Sequence, residues 1–188
     1  MSPLSSVTGR RSNAVCQIRW ARKVARGRSR WLRIHMIATV SLILLGLACV
    51  RLAWIDLRDG IIPDWLNLLV AATGVVRIAA LAGLVSAVAA LCDGVVIGAM
   101  VWLLRWLYFK WRKFQGLGLG DVKLLAASAV WIGVVGVPIQ LLIASVTALA
   151  AAGLMQLSKR PVTRLTALPF GPFLAFGLLV VILLQQQG

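Results

Sequence analysis

Two aspartates in largely apolar surroundings, Asp56 and Asp121, are the residues of this chain best suited to do chemistry. An ionisable side chain at membrane depth costs roughly 3 kcal/mol or more, so such residues are functional candidates. Two carboxylates that share one water molecule can cleave a peptide bond: one takes a proton from the water, and the other polarises the scissile carbonyl. Because close like charges do not readily ionise together, the pair holds one proton and titrates as a unit. This chemistry needs no metal, cofactor or covalent nucleophile.

Asp121 ends a run of alternating glycines, G-L-G-L-G-D at residues 116–121, and an apolar segment follows directly. Glycines such as Gly118 and Gly120 permit positive φ and close backbone approach, and irregular backbone at membrane depth must line protein or a wet cavity. The carboxylate is therefore predicted at a helix N-terminus, where the helix dipole favours its ionised form. The alternative is an ordinary N-cap with Lys123 reaching to the interface, but such a cap needs no alternating glycines.

Asp56 lies at the end of the first apolar segment, in W-I-D-L-R-D-G-I-I-P-D-W-L at residues 54–66. Pro63 is predicted to open the second segment at the first-turn position that proline prefers. Asp59 and Asp64 lie in the turn and at the next helix start. Taken alone, this stretch is explained equally well by a polar loop with ordinary helix caps.

The other residues that could do chemistry are scattered. Asp93 lies in the outer part of the third apolar segment, where we interpret it as a cap or a hydrogen-bonding group within the bundle. Cys16, Cys49 and Cys92 are far apart, and His35 is the only histidine. Because the sequence has no CxxC pair and no spaced Cys/His set, it predicts neither a zinc site nor a disulfide framework.

The composition is that of a membrane protein. Of 188 residues, 61% are hydrophobic and only 13% are charged, with a mean hydropathy of +0.93, whereas a soluble domain is about half apolar. The net charge of +15 would suggest nucleic acid in a soluble protein, but basic residues of membrane proteins gather in cytoplasmic loops and near anionic lipid. We therefore expect lipid rather than nucleic acid as a partner.

The apolar runs predict an all-α, polytopic membrane domain of about six helices, because about 20 apolar residues cross the hydrocarbon core. A break between the fourth and fifth helices is predicted at Gly136 and Pro138. The six predicted spans are 36–55, 63–82, 86–108, 121–137, 138–157 and 169–186.

The loop charges predict the orientation. The loops at 105–113 and 158–164 are basic, whereas the turns at 83–86 and 136–139 carry no charge. By the positive-inside rule the basic loops are cytoplasmic, which places Asp56 and Asp121 together on the cytoplasmic face.

The N-terminal residues 1–35 are predicted to be a basic arm, disordered or interfacial, ahead of the membrane domain at 36–188. The predicted topology sends this most basic stretch outside. Either the arm folds back, or the first segment does not cross simply, or translation starts at Met36. The last alternative removes the conflict, so Met36 is predicted to be the native N-terminus.

Three segments resemble the type IV leader peptidase (prepilin peptidase) family. G-L-G-D at 118–121, followed by V-K-L-L-A-A, is similar to the family's GxGD motif. The stretch at 56–66 is similar to its first aspartate motif, and P-F-G-P-F-L-A-F-G at 169–177 is similar to its FGPF segment. The three segments stand in the family's order and cover about residues 40–180.

The resemblance implies a six-helix aspartyl protease of the bacterial inner membrane that removes the basic leader of type IV prepilins or type II secretion pseudopilins at the cytoplasmic face. Asp56 and Asp121 match the catalytic aspartates, and Gly118 and Gly120 match the motif glycines. Bifunctional members also carry a four-cysteine zinc segment tied to N-methylation. Nothing before Asp56 supplies one, so peptidase activity without methyltransferase activity, and without metal, is expected.

A basic leader would be repelled by the basic loops, so Asp59 and Asp64 are predicted to be its counter-charges. Two other functions stay open: a catalytically silent assembly factor or small transporter of the same fold, and a protein whose basic arm tethers nucleic acid or anionic lipid. The sequence carries no signal for the oligomeric state.

Overall fold

A computed structural model describes residues 34–112, 118–157 and 169–187. Residues 1–33 of the predicted arm, which include Cys16, and the basic loop at 158–164 lie outside these residues. The chain divides into two compact units, Met1–Val40 and Ser41–Gly188. Of the first unit, the described residues are the opening turns of a helix, in which Thr39 Oγ1 donates a hydrogen bond to the His35 carbonyl. The second unit contains Asp56, Asp121 and all the contacts that follow.

Every regular element of the described residues is an α-helix, which confirms the predicted all-α class. The four longest helices are long and apolar enough to cross a membrane, and the fifth is a shorter apolar helix. Apart from the boundary between the fourth and fifth predicted spans, the predicted limits differ from the observed ones by no more than four residues, as at the end of the first helix (55 against 59). The helices are α1 (Ile34–Asp59), α2 (Asp64–Ala82), α3 (Leu84–Arg112), α4 (Leu119–Leu157) and α5 (Gly171–Gln187).

Helix α4 contains both the fourth and the fifth predicted spans, and it is broken at Gly133 (φ 71°, ψ 172°). The buried amide of Gln140 donates a hydrogen bond of 3.1 Å to Ser128 Oγ. Residues twelve apart in a straight helix would be about 18 Å apart along the axis. The two parts of α4 therefore fold back on each other, as a first arm (119–132) and a second arm (134–157).

The predicted position of this break was wrong by a few residues. Gly133 adopts a positive φ, whereas Gly136 and Pro138 lie within the second arm. A residue without a Cβ reaches this left-handed backbone region at little cost, and proline cannot reach it because its ring fixes φ near −65°. The reversal therefore falls on a glycine, and proline is accommodated soon after the new arm begins.

The helix directions follow from cross-helix contacts. Asp64 at the start of α2 contacts Lys123, and the Trp131 indole farther along the first arm donates to the Val70 carbonyl (2.8 Å). Helix α2 and the first arm of α4 therefore run in the same direction. Helix α3 follows α2 through a turn at Gly83 and returns antiparallel to both.

Helix α5 runs alongside the first arm of α4 in the same direction. At its start, the Gly171 amide contacts Asp56, and near its end the Gln185 side-chain amide donates to the Ile132 carbonyl beside the break. The end of α1 and the starts of α2, α4 and α5 are consequently gathered at one end of the second unit.

A leucine-rich core holds these helices together, and most other large apolar side chains face outward. The exposed apolar residues occur on every described helix, as expected of a surface that contacts lipid tails rather than water. The largest fully buried apolar side chains are Leu45, Leu52, Leu66, Leu124, Leu125, Leu174 and Leu178.

Candidate active site

An open cleft of about 800 Å³ lies where the helix ends gather, and both Asp56 and Asp121 line it. The cleft is built from the last turn of α1, the loop that follows, and the starts of α2 and α4, with Pro169 and Phe170 before α5. Of the eight predicted site residues, all but Pro63 contribute to its wall. The lining residues are Asp56, Leu57, Arg58, Asp59, Gly60, Ile61, Ile62, Asp64, Gly118, Leu119, Gly120, Asp121, Lys123, Pro169 and Phe170.

Asp121 is positioned by residues that are close to it in the sequence. It lies in the first turn of α4, as the sequence predicted, and its Oδ2 is 3.4 Å from the position that a Cβ on Gly118 would take. The Gly118 carbonyl in turn accepts from the Val122 amide (3.4 Å). Unpaired amides at a helix N-terminus favour a nearby anion, so this position suits a carboxylate.

Asp56 obtains its main contact from far along the chain. It lies in the last turn of α1, with only 6% of its surface exposed, and its Oδ2 accepts a 3.0 Å hydrogen bond from the backbone amide of Gly171. A Cβ on Gly171 would lie 2.6 Å from that oxygen and 2.9 Å from Cγ. Only glycine therefore fits at the start of α5 without moving the Asp56 carboxylate.

Gly171 was missed as a site residue by the sequence analysis. The signal was present in the resemblance, since Gly171 is the glycine of the P-F-G-P-F segment. Nothing in its spacing indicated a contact with a residue 115 positions earlier.

The two carboxylates line the same cleft. Like charges that lie close together disfavour double ionisation, so two such carboxylates can share one proton. The arrangement can therefore present one proton donor and one proton acceptor to a bound water and a carbonyl group.

The loop between α1 and α2 packs directly against the glycines of α4. Gly60 adopts a positive φ of 63°, and its amide donates to the Asp56 carbonyl (2.9 Å). Ile62 is buried beneath Gly120, where an added Cβ would lie 2.8 Å from the Ile62 Cβ. Pro63 caps α2 in an extended conformation. It precedes the first helical residue, so its predicted first-turn position was wrong by one residue.

Asp64 is neutralised by an ion pair with Lys123, whose Nζ lies 2.7 Å from both carboxylate oxygens. Asp59 lines the same cleft, is exposed, and has no ion pair among the described residues. The role of Asp59 and Asp64 as counter-charges for a leader stays a prediction, and Asp59 is the one of the two without an ion pair among the described residues.

Asp93 lies apart from the cleft. Its Oδ2 is 3.9 Å from the position of a Cβ on Gly133, beside the break in α4. The interpretation of Asp93 as a cap or a hydrogen-bonding group within the bundle stays a prediction. Within the described ranges, no three His, Cys, Asp or Glu side chains are grouped so that they could hold a metal ion.

The sequence matches known proteins over most of this unit. A model of the type IV leader peptidase family matches residues 42–153. Proteins named prepilin leader peptidase/N-methyltransferase are 36% identical over 131 residues in Burkholderia pseudomallei (strain K96243) and 35% identical over 144 residues in Escherichia coli (strain K12). These alignments cover 69% and 77% of this chain, and 41% and 63% of the respective relatives.

A relative of the same name in Legionella pneumophila is 34% identical over 153 residues, which is 78% of this chain and 51% of that protein. The chain thus spans about half the length of the curated relatives that it matches. No solved structure matches the chain.

Proposed function

Since the chain belongs to the type IV leader peptidase family, we propose that it is a membrane aspartic endopeptidase acting on type IV prepilins or type II secretion pseudopilins. It removes their basic leader. The observation that carries this proposal is the single cleft that Asp56 and Asp121 share. A silent assembly factor or transporter of the same fold would have no use for two carboxylates in one open cleft.

In the proposed reaction, a water molecule between the carboxylates attacks the scissile carbonyl carbon. The ionised aspartate removes a proton from the water, and the protonated aspartate donates its proton to the carbonyl oxygen, which gives a gem-diol. As the diol collapses, one of its hydroxyl protons returns to a carboxylate and the other carboxyl group protonates the departing nitrogen. The C–N bond breaks, and the pair again holds one proton.

The cleft is proposed to face the cytoplasm from a bacterial inner membrane. Helix α3 runs antiparallel to α2 and the first arm of α4, so its basic end, with Arg105 and Lys110, lies toward the cleft end of the unit. Basic residues gather on the cytoplasmic side of membrane proteins. A prepilin leader is located on that side before cleavage, where the cleft can receive it.

Substitution of each aspartate by asparagine tests the mechanism. Asp56→Asn and Asp121→Asn keep the side-chain shape but remove the shared proton chemistry, so we expect each to lower cleavage of a co-expressed prepilin by at least about 1000-fold. Asp93→Asn is the matched control, because it makes the same change on α3 away from the cleft. Cleavage is measured as the ratio of mature to precursor protein.

Cleavage that persists in either cleft variant would contradict the aspartic mechanism. Absence of cleavage by the wild-type protein, with several prepilins and pseudopilins, would favour the silent assembly factor or transporter. The intact mass of the mature product also tests the prediction that the chain lacks methyltransferase activity, since an unmodified N-terminus is expected.

A further inference from the structure

We infer that α5 is a positioning element of the catalytic centre, in which the Gly171 amide fixes the Asp56 carboxylate and Gln140 fixes the start of α5. The inference rests on the proposed peptidase function. It assigns to Gly171 and Gln140 roles that act through Asp56, without contact with the substrate.

The contact between Gly171 and Asp56 leaves no free space. The Asp56 Oδ2 receives the amide hydrogen at 3.0 Å, and a Cβ on Gly171 would meet the carboxylate at 2.6 Å and Ile62 Cδ1 at 3.1 Å. The Asp56 side chain is thus held between the start of α5 and the loop after α1. Hydrogen bonds from backbone amides to a carboxylate restrict its rotation and are stronger than those between neutral groups.

Gln140 fixes the position of α5 along its axis, on which the contact between Gly171 and Asp56 depends. Its side chain is fully buried, and its Nε2 donates to Ser128 Oγ (3.1 Å) and to the Leu174 carbonyl (3.0 Å). Leu174 lies about one turn after Gly171. Both arms of α4 are therefore connected to the first turn of α5 through one buried amide.

Close backbone approach supports the same placement one turn farther along α5. A Cβ on Gly177 would lie 2.8 Å from the Gln140 carbonyl oxygen. Because this neighbour is backbone, it cannot move aside as a side chain can. A displacement of α5 along its axis would lose the Gln140 hydrogen bonds and withdraw the Gly171 amide from Asp56.

Gly171→Ala tests the inference directly. The added methyl group displaces the Asp56 carboxylate, so we expect kcat on a prepilin substrate to fall about 100-fold, with KM changed less than about twofold because the binding surface is kept. Gly153→Ala, where the new methyl group meets nothing within 4 Å, is the neutral control. Gly74→Ala, where it meets the Trp131 ring at 2.7 Å, is the control for loss of packing away from the cleft.

A double-mutant cycle on thermal stability tests the contact independently of catalysis. In purified full-length protein, Gly171→Ala is expected to lower Tm by about 4 °C. In an Asp56→Ala background the clashing carboxylate is absent, so the loss is expected to fall below half of that value. Equal losses in the two backgrounds would overturn the inference.

Gln140→Leu provides a second variant if Gly171→Ala does not fold. It keeps the side chain large but removes both donated hydrogen bonds, and we expect kcat to fall about tenfold with KM unchanged. If the wild type cleaves, Asp56→Asn does not, and both Gly171→Ala and Gln140→Leu cleave as fast as Gly153→Ala, this inference fails while the proposed function stands. Absence of cleavage by the wild type would instead overturn the proposed function.

Discussion

The two cleft aspartates are surrounded in different ways. Asp121 sits in the first turn of its own helix, and its carboxylate lies beside Gly118, three residues earlier. Asp56 sits at the end of α1, and its amide partner, Gly171, is 115 residues later, at the start of α5. Each carboxylate thus lies at a helix N-terminus. For Asp121 it is that of its own helix, and for Asp56 it is that of α5.

This difference predicts which substitutions disturb the position of each carboxylate. The setting of Asp121 forms with the first turn of α4, because its partner is local in sequence. The setting of Asp56 exists only after α5 has docked against both arms of α4, because Gly171 has no local connection to α1. Substitutions at a distance should therefore disturb Asp56 more than Asp121.

Gly120→Ala is expected to lower kcat more than substitutions of Asp59 or Lys123. It also tests the distinction between local and remote contacts. Gly120 belongs to the local motif of Asp121, yet its added Cβ would lie 2.8 Å from the Ile62 Cβ in the loop after Asp56. That atom is bonded to the backbone and cannot rotate away, so the loop must move. We expect kcat to fall at least about tenfold, measured on a prepilin substrate in detergent.

Gly118→Ala is the matched control for this prediction. Its added Cβ would lie 3.4 Å from the nearest atom, Asp121 Oδ2, a distance at which little must shift. Its loss of kcat should be smaller than that of Gly120→Ala. The opposite order would show that the local motif matters through its own backbone rather than through the loop.

The same difference explains how much could be predicted from sequence. Apart from the break in α4, the long apolar runs predicted the helix ends to within four residues, since helix length and hydrophobicity are local properties. Asp121 at a helix start was predicted because its glycines and its apolar run adjoin it. Placing Asp56 and Asp121 on one face needed only the loop charges.

What could not be predicted depends on packing between distant segments. The reversal of α4 falls at Gly133 rather than at Gly136 or Pro138. All three residues can interrupt a helix, and their helix propensities alone do not show which of them does. The ion pair that neutralises Asp64 joins residues 59 positions apart. The contact of Gly171 with Asp56 is of the same kind, because only the docked position of α5 creates it.

Asp59→Asn is expected to have a moderate effect, confined to substrates with a charged leader. Asp59 is exposed in the cleft and has no ion pair among the described residues, so its attraction to a leader Lys or Arg is worth about 1 kcal/mol. We expect kcat/KM to fall about fivefold for the basic leader, and not to change for a substrate whose leader basic residues are replaced by Gln.

Asp64→Asn is the control for this prediction, because Lys123 already neutralises that carboxylate. It should have a smaller effect on the basic leader than Asp59→Asn. An equal fall for both variants, or an equal fall with the uncharged leader, would contradict the role of Asp59 as the counter-charge.

The Lys123–Asp64 ion pair is expected to contribute least, although it also joins residues that are far apart in the sequence. The side chains of Lys123 and Asp64 are 48% and 72% exposed, and exposed ion pairs contribute at most about 1 kcal/mol. We expect Lys123→Met to change Tm by less than about 4 °C and kcat by less than about threefold. The coupling is measured in a cycle with Asp64→Asn, and a coupling above about 2 kcal/mol would contradict the argument. A small coupling here beside a large one at Gly171 would mean that a remote contact controls the cleft only where it is buried, since burial removes the water that would otherwise replace the lost partner.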